Sequence, residues 1–192
     1  MNNETGTLKS ADNLASAVGA VGRAYIFIYL NINLGTLDIL PDWVGYVFIL
    51  GALPMLSLWE ESMGLLRNLG FLLAIYEGVE WILNLMGGKA DIPIISLIAG
   101  IIGLYFHFQL LTDLASIASE YGLEERKASL LKLRTANTVL QTVAMLTMQL
   151  SARFDAAWPA LVMAFVVVIL TIMITVSIYG LKKELADTYT SE

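Results

Sequence analysis

The chain has 192 residues, of which 57% are hydrophobic and 15% are charged, and its net charge is −6. A typical soluble domain has about 25% charged residues, so this composition excludes an ordinary soluble domain and favours apolar side chains that face lipid. The absence of cysteine excludes disulfides and thiolate metal sites, and the single histidine, His107, excludes a site built from several imidazoles. The acids lie mostly in loops and at the ends, and nothing in the charge pattern indicates a nucleic-acid partner.

Six apolar stretches determine the predicted fold. A helix needs about 20 mostly apolar residues to cross the hydrocarbon of a bilayer, and six stretches approach that length, so we predict an all-α integral membrane bundle of about six transmembrane helices. Residues 1–16 are predicted to be a polar cytoplasmic segment, 17–186 a single transmembrane domain and 187–192 a short cytoplasmic tail. The predicted spans are about 17–36, 42–59, 63–86, 92–115, 130–150 and 158–181.

The first and fifth spans are the most polar. The first contains Arg23, Asn31 and Asn33, and the fifth contains several charged or amide side chains. Either helix could instead lie partly in the interface as an amphipathic helix. The two asparagines, followed by Gly35, also predict an unwound outer end of the first helix, where exposed backbone can bind a solute. The alternative is that the amides bond neighbouring helices.

Positive charge predicts the orientation. With the N-terminus inside, nine Lys and Arg residues lie on the inner side and two, Lys89 and Arg153, on the outer side. Short cytoplasmic loops carry such an excess, so we predict that both termini are cytoplasmic. Trp43 and Trp59 are 16 residues apart, about 24 Å along a helix, which is typical of residues at the two interfaces.

The six helices have the outline of three helical hairpins. Each odd helix has an arginine near its inner start, and each even helix follows an Asp and then a Pro, which favour a helix N-terminus. Three parallel hairpins around a central axis are one interpretation; the other is that every such helix favours these residues at its ends. The residues are Arg23, Arg67 and Arg134, with Asp38 and Pro41, Asp91 and Pro93, and Asp155 and Pro159.

Ionisable residues at membrane depth are the candidate site. Glu77 and Glu80 are three residues apart in the third span and share a helix face. Because such groups are costly in lipid, they predict a cation, proton or amine site, with His107 of the fourth span as a partner for Glu77. The alternative is structural: buried groups that bond neighbouring helices, with Glu80 reaching the outer headgroups. The spacing indicates no metal site and no cofactor.

Small residues predict close helix packing at Gly45, at Gly51 and at the pair Ala99 and Gly103.

The segment from Asn33 to Tyr46, NLGTLDILPDWVGY, contains an LPD-x-x-GY turn. In this segment of about fourteen residues the chain resembles small polytopic membrane proteins of Gram-positive bacteria. The resemblance implies a multi-pass protein of the bacterial cell membrane and no particular activity.

Two functions from different classes remain open. The first is small-solute or ion transport or binding, at a site lined by Glu77, Glu80, His107, Asn31 and Asn33. The second is a non-transporting scaffold, sensor or partner subunit, such as the substrate-capture subunit of a larger importer, to which the chain is similar in size and span count. Partners would be the lipid bilayer, a small solute or cation, and another membrane protein or a second copy. No motif of a known enzyme class is present, so we expect no enzymatic activity.

Overall fold

The structure is a computed structural model that describes residues 11–29, 33–34, 37–38, 41–88, 92–154 and 158–190, with side chains for 13–29, 41–88, 92–147 and 161–188. The fold is all-α, as predicted. Its helices are α1 Ala11–Tyr29, α2 Asp42–Leu56, α3 Leu66–Leu85, α4 Pro93–Glu120, α5 Glu124–Phe154 and α6 Trp158–Thr190. A 3₁₀ helix, Glu61–Leu65, leads into α3, and two short antiparallel strands, β1 Asn33–Leu34 and β2 Leu37–Asp38, lie between α1 and α2.

The helices pack in chain order. Each contacts the next along the chain, and α1 also packs along α6, which closes the order into a ring. Short connections explain this arrangement, because helices joined by a few residues lie antiparallel beside each other. One core of buried apolar side chains runs through the bundle, and α1 contributes much of it, with Leu14, Val18, Val21 and Tyr25 all fully buried.

Small residues bring α1 close to both of its main neighbours. A methyl group at Gly45 of α2 would lie 2.7 Å from the backbone oxygen of Ala24, and one at Gly22 would lie 3.1 Å from Tyr179 of α6. The prediction of close packing is therefore confirmed at Gly45. It is wrong at Gly51, where no atom lies within 4 Å of the position a methyl group would take.

The first helix is displaced from its predicted position. It begins at Ala11, inside the segment predicted to be a polar cytoplasmic one, and ends at Tyr29 rather than near residue 36. Leu14 and Val18 of this early part belong to the core, so burial rather than lipid contact extends the helix. Its end precedes Asn33, which lies in β1, because Asn and Gly favour turns over helices.

Length and composition qualify two helices of the described chain as membrane spans, Pro93–Glu120 and Leu161–Thr188. The helix Asp42–Leu56 is apolar but shorter. Polar residues explain why α3 and α5 do not qualify as membrane spans. α3 carries Glu77 and Glu80, and α5 begins with a charged segment, Glu124 to Arg134. Six crossings therefore remain a prediction.

Prolines mark the helix starts as predicted, and the N-cap residues of α2 and α4 are Pro41 and Ile92 rather than aspartates. Pro41 directly precedes α2, Pro93 is the first residue of α4, and Pro159 is the second residue of α6. Neither Pro41 nor Ile92 caps its helix with a side-chain hydrogen bond. Asp38 lies in β2 instead, and Asp91 and Asp155 fall outside the described residues.

Candidate functional site

His107 lies at the centre of the bundle. It is 2% exposed on α4, and its two ring nitrogens bond tyrosine hydroxyls from two other helices. Nδ1 is 3.3 Å from the Tyr25 hydroxyl of α1, and Nε2 is 3.4 Å from the Tyr46 hydroxyl of α2. A neutral imidazole donates from one nitrogen and accepts at the other, and a hydroxyl can do either. Both nitrogens are therefore satisfied within the protein.

Aromatic rings enclose the imidazole. The ring centroids of Tyr25, Tyr29, Tyr46 and Phe106 lie 5.3 to 6.0 Å from that of His107. Phe106 meets it edge-on, at an angle of 90°. An imidazole covered in this way is held in one orientation, and the described residues leave it almost no exposed surface. It is therefore suited to position the tyrosines around it.

The polar network continues from α1 to α5. Tyr29 stacks on Tyr25 with centroids 5.6 Å apart, and its hydroxyl accepts a hydrogen bond from Gln141. Gln141 also donates to Asn137 at 3.2 Å. The sequence reasoning missed these residues as members of one cluster. The available signal was their spacing: Tyr25 and Tyr29, like Asn137 and Gln141, are four residues apart and so share a helix face.

Glu77 lies next to this cluster rather than in it. It is partly buried on α3 and acts electrostatically on the Tyr46 hydroxyl. Both nitrogens of His107 are occupied by tyrosines, so the predicted direct pair between Glu77 and His107 does not form. Tyr46 bonds His107 at 3.4 Å and also feels the charge of Glu77.

Glu80 has a different environment. Its carboxylate accepts a hydrogen bond of 2.5 Å from Tyr76, one turn earlier on α3. The Tyr76 hydroxyl also bonds Ser96 of α4 at 3.2 Å. Through Tyr76, Glu80 therefore helps to join α3 to the start of α4.

Two tryptophans lie beside the glutamates. The rings of Trp43 on α2 and Trp81 on α3 meet edge-on with centroids 6.3 Å apart. A methyl group at Gly78 would lie 3.9 Å from the Trp43 side chain, so this indole packs on the helix turn that follows Glu77. This end of the α2–α3 contact thus places two indole rings close to the helix turns that carry the glutamates.

The asparagines are not placed in this site by the structure. Asn31 lies outside the described residues, and Asn33 is described only as part of the backbone of β1. Among the side chains that are described, no three His, Asp or Glu groups lie close enough together to hold a metal ion.

Charged groups also join the start of α5 to the last part of α6. Arg126 forms an ion pair with Glu184, and its Nε donates to Glu184 at 3.2 Å. That hydrogen bond raises the pKa of the Arg126 guanidinium above its usual value.

No protein-family model, curated protein or solved structure gives a significant match to the chain.

Proposed function

We propose that the chain is a multi-pass protein of the bacterial cell membrane. The two helices that qualify as membrane spans are poorly covered by protein: 33% of the apolar window of α4 and 28% of that of α6 is buried, whereas the core helix of a soluble protein would be mostly buried. Large apolar side chains are also exposed on α3 and α5, including Phe71, Ile75, Val139 and Leu146. Lipid is the solvent that such a surface favours.

Charge supports the proposed orientation, in which both termini are cytoplasmic. Arg126 and Lys127 follow the connection from α4 to α5, and Lys182 and Lys183 lie near the end of α6. A methyl group at Gly19 of α1 would lie 3.0 Å from Lys182. The first half of α1 and the last part of α6 therefore lie at the same end of the bundle, where the basic residues collect.

Within this protein, the proposed activity is the binding or transport of a monovalent cation or a small cationic solute between α2 and α3. The observation that carries it is the position of Glu77, which is partly buried on α3, the third predicted span. Over the described part of the chain, the ion pairs are Arg126 with Glu184 and Lys127 with Glu124, so no basic side chain there neutralises Glu77. A bound cation supplies the missing charge.

The neighbouring groups fit such a ligand. Trp43 packs against Gly78, the residue after Glu77, and its ring contacts that of Trp81; aromatic faces attract cations, most strongly when water is excluded. Tyr46 contributes a hydroxyl on which Glu77 acts electrostatically. His107 Nε2 holds that hydroxyl in place by a hydrogen bond. In this proposal His107 is a positioning residue and does not touch the solute.

The rival function is the non-transporting scaffold, sensor or partner subunit. The enclosed network around His107 favours it, because tyrosines and amides that satisfy each other can hold four helices together without any ligand. In that case Glu77 would contribute to packing alone.

Ligand-dependent thermal unfolding separates the two functions. The purified protein in detergent is titrated with Na⁺, K⁺ or tetramethylammonium as chloride salts at matched ionic strength. A ligand that binds only the folded state raises the unfolding midpoint with a saturable dependence on concentration. We expect that rise in the wild type with at least one of these ions and in Glu61→Gln, a control at an exposed position.

We expect Glu77→Gln to fold and to lose the saturable rise. Equal responses in Glu77→Gln and the wild type, or no response to any of the three ions, would leave the scaffold function as the better account.

A further inference from the structure

A second polar cluster lies between the 3₁₀ helix and α4, away from Glu77. Asp113 is 2% exposed, and its Oδ1 is 2.6 Å from Gln109 Nε2 and 2.8 Å from the Ser62 hydroxyl. Its other oxygen, Oδ2, is buried and has no hydrogen-bond partner among the described residues. The same Ser62 hydroxyl is also 3.0 Å from Oε1 of Glu60.

The Ser62 hydroxyl cannot donate to two ionised acids at once. A serine hydroxyl has one hydrogen to donate, and an ionised carboxylate can only accept. Ser62 lies within bonding distance of both carboxyl groups and can donate to one of them. Two oxygens this close repel each other when no hydrogen lies between them, so the second contact favours a proton on one carboxyl group, even though Glu60 also accepts from Ser116 and from the Ser62 backbone N–H.

We infer that Asp113 and Glu60 together bind one proton, which they share through Ser62. The proton resides mainly on Asp113, whose buried and unpartnered oxygen would otherwise leave a charge without compensation. Glu60 is more exposed and also accepts a hydrogen bond from Ser116, so it holds the negative charge. The site is a proton-binding site that is independent of the proposed cation site at Glu77.

The charged groups on the packed elements agree with this assignment. Glu60 is the charged group that acts on Asp113 among the described residues. Glu61 of the 3₁₀ helix and Arg67 of α3 are exposed. Arg134 of α5 donates to Thr112 at 3.1 Å and covers the ring of Phe108. Neither Arg67 nor Arg134 forms an ion pair with Asp113 in the described structure.

The geometry also supplies a transfer step. The proton lies on Oδ1 of Asp113, the oxygen that contacts Ser62. The Oδ1–H bond breaks as this proton moves to the Ser62 oxygen, and the Ser62 hydrogen passes to Oε1 of Glu60. Asp113 is then a carboxylate, Glu60 is a carboxylic acid, and Ser62 is unchanged. The pair keeps a charge of −1 throughout, so a buried proton reaches a partly exposed group, from which solvent can remove it.

Infrared spectroscopy of the full-length protein in lipid nanodiscs tests the inference. Aspartate labelled with ¹³C at its carboxyl carbon separates the bands of Asp113 from those of every glutamate. We expect a labelled, protonated-carboxyl band at neutral pH that disappears on alkalinisation, is lost in Asp113→Asn and persists in Glu61→Gln. In Glu60→Gln the band should disappear at a lower pH than in the wild type, because the repelling charge is gone.

Ser62→Ala keeps the test valid if Asp113→Asn fails to fold. This variant retains both acids and removes the bridge, so the labelled band should shift. The absence of a labelled protonated band at neutral pH overturns the inference. The inference is also overturned if the band keeps its position in Ser62→Ala and disappears at the wild-type pH in Glu60→Gln. Asp113 would then be an isolated buried acid.

Discussion

Replacing Gly45 with alanine tests the closest approach of two helices in the fold. The new methyl group would lie 2.5 Å from Cγ1 of Ile28 and 2.7 Å from the backbone oxygen of Ala24. Favourable contacts between carbon atoms lie at about 3.5–4.0 Å. Ile28 can rotate away, but a backbone oxygen cannot, so α1 and α2 must separate locally.

Gly51→Ala is the matched control on the same helix. A methyl group at Gly51 meets no atom within 4 Å. Both changes gain the same helix propensity, about 1 kcal/mol for Gly to Ala, so this contribution cancels when the two variants are compared. The remaining difference is the cost of overpacking at Gly45, about 1–3 kcal/mol.

The assay is SDS-induced unfolding in mixed micelles, followed by circular dichroism. We expect Gly45→Ala to unfold at lower SDS than Gly51→Ala, by the equivalent of about 1–3 kcal/mol, and Gly51→Ala to be at least as stable as the wild type. Equal stability of the two alanine variants would refute the close packing of α1 on α2.

Two further predictions concern polar groups. His107→Leu leaves the buried hydroxyls of Tyr25 and Tyr46 without their partner, and each unpaired hydroxyl should lower the unfolding free energy by about 1–3 kcal/mol. Adding Tyr25→Phe and Tyr46→Phe should recover part of this loss in the same SDS assay. No recovery would contradict the network. The hydrogen bond from Ser116 lowers the pKa of Glu60 below its ordinary 4.5, so ionised Glu60 contributes stability above that pH, and the contribution is lost as the pH falls through the lower folded-state pKa. Acid titration of the unfolding midpoint should therefore show a wild-type advantage over Glu60→Gln that disappears on acidification, and an advantage constant down to pH 3 would contradict it.

Much of the helical fold could be predicted from the sequence. Apolar length and the prolines at positions 41, 93 and 159 located the starts of three helices within a residue or two, because proline is tolerated at a helix start and disfavoured inside. The first helix was misplaced. Hydropathy measures transfer into lipid, whereas α1 begins early because Leu14 and Val18 pack against protein.

The site was predictable only as a set of residue types. The predicted membrane depth singled out Glu77 and His107. The sequence pattern could not show that Tyr46 bonds His107 and feels the charge of Glu77. Which tyrosine reaches His107 depends on the contact between α2 and α4, residues 61 apart in sequence. Asp113 was overlooked for the same reason: its partner Ser62 is 51 residues away and belongs to a short 3₁₀ helix.

The central claim is that a cation neutralises Glu77 between α2 and α3. Isothermal titration calorimetry of the protein in nanodiscs, with the ion that gave the largest thermal response, measures this directly. The account predicts saturable binding near one ion per chain in the wild type and in Glu61→Gln, and none in a folded Glu77→Gln. Binding of the same strength and stoichiometry in Glu77→Gln would contradict it.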